Sequence, residues 1–349
     1  MAAKTIQLSI DAGTTYYSFP GSSGDFSDNA GSLDDTIFGQ DVKSSQSNLV
    51  DWAVTSDAVY KGYAGYNVTV KQQGTSTTMT AEAMTNVSGK IYQITNYAVK
   101  GLWDSTQAIT VLDNAVDHTA DVLSIDYLTG TVTFKAAYTP TTPITVTGHY
   151  LPLAALAKYQ KYQLKQSQAV IDNTDIPTAQ GNSGQRTYAY GLKTFQLTVD
   201  GVYPNAAPVY RTALLARSQV VLEICPDGGS KSVFRGFFKP SARKQSGKVG
   251  ALEMETVTYD LTVPANAQLA KAATWVFTSS DLSTSVQNAL TAFLNETTCN
   301  VKYLPDGGTT SNAGLTGQCL ISDISLSGGI DAMNTFAITM QGTGAATAV

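Results

Sequence analysis

Charge is what this 349-residue sequence has least of. Asp, Glu, Lys and Arg make up only 14% of it, against roughly 25% in ordinary soluble domains. Histidine is nearly absent, with His118 and His149 alone, so no dense His/Cys metal site can be assembled. Three cysteines, Cys225, Cys299 and Cys319, show no C-x-x-C spacing, and an odd number cannot all pair within one chain. Buried free thiols on strands are the expectation. No long apolar run exists: the stretch Leu151 to Ala157 contains a proline and falls far short of the roughly 20 residues a membrane helix needs. The opening residues Met1 to Leu8 lack the apolar core of a signal peptide, which points to a chain made in the cytoplasm with no membrane partner. What fills the sequence instead is Ser, Thr, 29 Gly and 18 Tyr on a 43% hydrophobic background. Apolar residues recur throughout, which excludes disorder and favours a mainly β scaffold.

The net charge of −5 is uneven. Residues 1–150 hold 7 Lys/Arg against 14 Asp/Glu, 151–265 hold 13 against 8, and 266–349 hold 2 against 5. A nucleic-acid binder normally presents a dominant basic surface. A basic middle between acidic ends suits charge-complementary contacts between copies of the chain.

Along the sequence, Ile6-Gln7-Leu8-Ser9-Ile10 alternates as a strand, and a Gly/Ser/Asp loop is expected from there through Asp35. Its Asp25, Asp28, Asp34 and Asp35 miss the regular spacing of a calcium loop. Strand-like pieces follow at 49–54, 58–60 and 66–71. Residues 88–152 read as a self-contained β module, because five short β-branched runs are separated by turn signals. Both histidines fall in it and are expected to be structural. Glu253 and Glu255, two apart on a strand, are expected to share one exposed face. With Asp126-Tyr127 they are the nearest thing to a catalytic pair, and no enzyme activity is expected.

An internal repeat dominates the second half. Thr212-Ala213-Leu214-Leu215 matches Thr291-Ala292-Phe293-Leu294, and Pro226-Asp227-Gly228-Gly229 matches Pro305-Asp306-Gly307-Gly308. At the same offset, Thr256, Val257, Tyr259 and Leu261 align with Thr335, Phe336, Ile338 and Met340. Leu282, Val286, Ala289, Leu290 and Phe293 form one helical stripe, and P-D-G-G suits a tight hairpin. Each copy therefore reads as a helix laid on a sheet. Two long polar arms precede these elements. One runs over 34–50 with Asp34, Asp35, Thr36 and Phe38, and the other over 172–190 with Asp172, Asn173, Thr174, Asp175 and Ile176. The second copy has no arm directly ahead of it, so the first arm is expected to pair with the last segment.

Asp172-Asn173-Thr174-Asp175, the following arm, strand 194–199, the helix, the P-D-G-G turn and the ending Thr335 to Gly344 resemble, in that order, long-tailed bacteriophage major tail tube proteins. The resemblance implies a β-sandwich or barrel-like tube fold with a flanking helix. It also implies six-fold rings stacked into a tube that conducts DNA without sequence-specific binding, other tail proteins (tape measure, terminator, tip) as partners, no cofactor, and a place in the virion tail. Two tube-type domains are expected, 1–87 with 266–349 and 153–265, with 88–152 inserted as a dispensable outer decoration. Three chains would then close a pseudo-hexameric ring, with polar arms carrying contacts between subunits and Leu214 and Phe293 anchoring the two helices. Six chains, with the extra copy outside the ring, is the competing arrangement. A carbohydrate-binding or adhesin-type β protein is the competing class.

Overall fold

A computed structural model of the chain describes residues 5–19, 21–34, 45–64, 68–156, 159–181, 184–202, 214–226, 232–247, 253–264, 271–277, 283–305 and 314–349. It forms two compact units. Residues 1–67, 161–197 and 277–349 make the first, and 68–160 with 198–276 make the second. Both are mainly β.

In the first unit, strand Thr5–Ser9 lies antiparallel to Cys299–Leu304, which pairs with the first part of the long strand Leu315–Gly329. The last part of that long strand pairs with Tyr159–Asp172. Its other edge meets Ala332–Gly342, which pairs with Ser45–Ala64, and Ser45–Ala64 closes a hairpin with Gly21–Asp34. The Gly/Ser/Asp segment expected as a loop is thus a strand, and the pieces at 49–54 and 58–60 are one continuous strand. Ladder hydrogen bonds come from the backbone, and between Ser23 and Ala30 only Gly24 is buried, so no apolar alternation marks the strand in the sequence. The helix Thr284–Asn295 starts where the Ser283 hydroxyl accepts a bond from the Val286 amide at 3.4 Å, and it ends at Glu296 in the left-handed region. Val286, Ala289, Leu290 and Phe293 form its buried face as the stripe implies, with Leu282 outside the described residues. Trp52 packs so closely over Gly342 that a Cβ there would lie 2.0 Å from the indole.

The second unit repeats this pattern. Thr69–Gln73 pairs with Val220–Cys225, which pairs with Ser232–Ser246, which pairs with Met254–Leu261. Val70 faces Ile224 as Ile6 faces Tyr303, and Lys71 faces Glu223 as Gln7 faces Lys302. Before the turn the copies are related by 79 residues (Cys225 to Leu304). Beyond it the step becomes 81, since Val220 faces Phe238 where Cys299 faces Cys319. The connection from Ile224 to Phe234 is two residues shorter than that from Tyr303 to Leu315. The match of Tyr259 with Ile338 therefore gives way to Tyr259 with Met340. Even a β-bulge recurs, between Pro240 and Ala242 and between Ile321 and Asp323. Each bulge seats a serine whose hydroxyl donates across the ladder, Ser241 to the Thr258 carbonyl at 3.3 Å and Ser322 to the Thr339 carbonyl at 3.2 Å.

A seven-stranded antiparallel sheet is inserted between Gln73 and Leu153, which are direct partners. Its order is Val122–Asp126, Thr131–Phe134, Ile91–Ile94, Thr77–Ser88, Ile144–Tyr150, Thr110–Asp113, Val116–Asp117. It begins at Thr77 rather than 88. Its core is not self-contained, because Val221 and Phe237 of the neighbouring sheet belong to the same buried cluster as Trp103, Phe134 and Val146. The units follow strand pairing rather than the boundaries 1–87, 88–152, 153–265 and 266–349. Thr69–Gln73 draws 68–87 into the second unit, Lys161–Ser167 holds the second arm in the first, and Trp275, 5.4 Å from Phe234, keeps the segment before Phe277 in the second.

Candidate assembly surfaces

The described residues of the arm at 172–190 form an internally bonded hairpin end. Its strands are Tyr159–Asp172 and Tyr188–Val202, with the short helix Ile176–Gly181 between them. Asp172 accepts from the Thr174 amide at 3.0 Å, and Asp175 from the Thr178 amide at 2.7 Å. Those bonds hold both carboxyls below the usual carboxylate range, with Arg186 adding to the effect on Asp172. The Asn173 amide donates to the Thr187 carbonyl at 3.1 Å, and the Thr187 amide to the Thr174 hydroxyl at 2.8 Å, which cross-tie the two sides. Ile171, Ile176 and Leu192 are exposed on this arm.

The first arm meets the second. Val50 bridges Gln185, with the Val50 amide donating to the Gly184 carbonyl at 2.9 Å and the Arg186 amide to the Val50 carbonyl at 3.0 Å. Arg186 lies between Asp172 and Asp51, its Nε 3.5 Å from Asp51 Oδ1. The Tyr188 hydroxyl donates to Asp51, and burial followed by that carboxylate pushes its pKa up. Asp34 faces Ser45 at the end of the other hairpin, while Asp35, Thr36 and Phe38 lie outside the described residues. Asp51, Arg186 and Tyr188 form a joint that sequence reasoning missed: Arg186 and Tyr188 sit in a polar stretch, and Asp51, the one charge in the apolar run Leu49 to Val54, shows its partner only once the two arms are placed side by side.

The repeat anchors are placed unevenly. Phe293 is fully buried and meets Phe195 edge-on at 5.8 Å. Leu214 is half-buried in a helical turn where the Arg217 amide donates to its carbonyl at 3.2 Å. Pro226 is buried and Pro305 half-buried at the ends of their strands. Asp227, Gly228, Asp306 and Gly307 lie outside the described residues.

In the second unit, charges sit inside. Glu223 is 2% exposed and bonded to Arg235 Nε at 2.7 Å and Lys71 Nζ at 2.8 Å. Arg235 also donates to the Leu128 carbonyl at 2.8 Å and the Tyr97 hydroxyl at 3.1 Å, clasping the inserted sheet. Burial alone would raise the Glu223 carboxyl, but Arg235 and Lys71 hold it below its ordinary value. A glutamate in Val220–Cys225 and an arginine in Val233–Phe238, each amid apolar neighbours, were the available signal. Glu253 and Glu255 do not share an exposed face: Glu255 is buried against Arg243, whose charge draws it inward, and only Glu253 is exposed. Asp126 bonds the Leu128 amide at 3.0 Å in a turn, and Tyr127 is buried in the core of the inserted sheet. Among the described residues, no three His, Cys, Asp or Glu side chains gather as a metal site would require.

No family model matches the chain, and no curated protein matches it. Among solved structures it is similar to a chain from the tail of an empty GTA particle with C6 symmetry. The two are 14% identical with a TM-score of 0.29, over 37% of this chain and 87% of that one.

Proposed function

We propose that this protein is a non-catalytic structural subunit of a bacteriophage-type tail tube, with three chains closing a pseudo-six-fold ring and rings stacking around a lumen that passes DNA. The observation that carries this reading is the duplication. Two copies of one sheet share register, hairpin and bulge, so a chain offers two ring positions. Closing a ring also removes exposed sheet edges, which otherwise invite uncontrolled pairing. Charge supports alternation. The first unit holds 8 Lys/Arg against 15 Asp/Glu, a net of −7, and the second 14 against 12, a net of +2. Unlike units then meet around the ring, and DNA passes without a dominant basic surface to arrest it. Native mass measurement of single rings, with rotational averaging of end-on images, tests this. Three copies of the chain per ring are expected. Six copies, or a chain that stays monomeric with other tail proteins present, would overturn it.

A further inference from the structure

Within the chain, one hairpin strand completes one sheet edge. Beyond the stretch where Leu315–Gly329 meets Cys299–Leu304, its residues Asp323–Gly329 are paired antiparallel with Lys161–Ser167. Lys161–Ser167 belongs to the first strand of the hairpin Tyr159–Asp172 and Tyr188–Val202. The hairpin Gly21–Asp34 and Ser45–Ala64 is built alike. Its second strand lies beside Ala332–Gly342, and no other described strand is laddered to its first strand.

The equivalent edge in the second unit is open. Val220–Cys225 runs along Ser232–Ser246 only as far as Phe238, and from there to Ser246 no described strand occupies that edge. By the 81-residue step, Ala242 to Ser246 correspond to Asp323 to Ser327, the positions that Ser167 to Gln163 cover in the first unit. The open edge and the spare strand differ in charge. Lys239–Ser246 carries the exposed Lys239 and Lys244 beside Arg243, which is paired with Glu255, and Gly21–Asp34 carries Asp25, Asp28 and Asp34 and no base. The internal pair is also complementary, with the signs reversed: Lys161 and Lys165 run along a strand whose charge is Asp323.

We infer that the outer edge of Gly21–Asp34 in one chain adds, antiparallel, to the open edge of Lys239–Ser246 in a second copy of this chain. The inference rests on the ring proposed above and names the contact that joins its chains. The junction between chains then copies the junction within each chain, with an acidic strand on a basic edge in place of a basic strand on an acidic one. Opposite charges across a ladder favour it, and like charges directly opposite would disfavour it.

Charge swaps in the full chain test this. Lys239, Lys244 and Asp28 are exposed, so Lys239→Glu with Lys244→Glu, and Asp28→Lys with Asp34→Lys, are expected to leave the thermal unfolding of the free chain unchanged. Each pair alone should raise the concentration needed for ring formation about tenfold, and the mixture of the two variants should recover most of the loss. Carbodiimide cross-linking of rings made from isotope-mixed wild-type chains should join the segment 23–34 of one chain to 239–248 of another. Rings that form equally well from either reversed variant, or cross-links between chains confined to other strands, would overturn the edge assignment while leaving the ring intact. A wild-type chain that forms no ring would overturn both.

Discussion

The two copies share a backbone and differ on one face. On the hairpin of the second unit, Val221, Glu223, Arg235 and Phe237 point at the inserted sheet and are buried. The same register positions in the first unit hold Asn300, Lys302, Thr316 and Gln318, which are half-buried or exposed. There Lys302 lies 4.0 Å over the Tyr16 ring, and the Tyr16 hydroxyl lies 3.4 Å from Thr316 Oγ1. The opposite face keeps its character in both, as in Leu222 with Val301 and Gly236 with Gly317. One ladder therefore supports two surfaces, and the outward face records what covers it. The inserted sheet is a packed part of the second unit, not an appendage that can be cut away without consequence.

Removal of the inserted sheet should have the largest effect. Replacing 77–150 by a short Gly/Ser link exposes Val221 and Phe237 and strips Arg235 of Tyr97 and Leu128, so the shortened chain should aggregate on expression. Adding Lys71→Gln, Val221→Asn, Glu223→Lys, Arg235→Thr and Phe237→Gln copies the first unit's surface onto the second and should restore a soluble chain, read by size-exclusion chromatography. If the plain deletion is as soluble as the fivefold variant, the contrast between the two faces has no energetic weight.

Arg235→Ala comes next. It leaves Glu223 buried with Lys71 as its remaining cation, and breaking a buried pair typically costs about 3–5 kcal/mol. Denaturant unfolding should show that loss, whereas Thr316→Ala at the matching site should cost under about 1 kcal/mol. Protonation acts on the same cluster. The Glu223 carboxyl is depressed in the folded chain, so its contribution is complete above its ordinary value of 4.5 and fades as pH falls through the lower folded value. The Lys71 ammonium is raised, so its contribution is complete below 10.5 and fades above it. Wild type minus Arg235→Ala should thus be flat between those values and shrink on the acid side.

Much of this was legible in the sequence, and the failures have physical causes. The stripe Val286, Ala289, Leu290 and Phe293 announced its helix because one face of that helix is buried and the other is not. The repeat was visible through its turn motif, but a two-residue difference in a connection cannot be seen when both partners are β-branched or aromatic runs. The strand Gly21–Asp34 was hidden because an edge strand with little burial has no side-chain pattern to display. Glu223 and Arg235 were passed over because a charge in an apolar strand declares itself only when its partner, twelve residues away, is placed across the ladder.

The smallest effect tests whether the copies are equivalent where their surfaces are not involved. Ser241 and Ser322 occupy the same bulge and make the same bond to a threonine carbonyl, at 3.3 and 3.2 Å. A neutral hydrogen bond contributes roughly 0.5–1.5 kcal/mol, and less where water can replace it. Ser241 is exposed and Ser322 half-buried. Ser241→Ala should therefore cost about 0.5 kcal/mol and Ser322→Ala about 1 kcal/mol, measured as paired shifts in urea midpoint with unchanged slope. The bulge itself should persist in both variants, since it is set by one extra residue in the ladder and not by the hydroxyl. Equal costs would mean that solvent does not distinguish the two sites, and a larger cost at Ser241 would mean that the serine fixes the bulge in the second unit, against the burial argument.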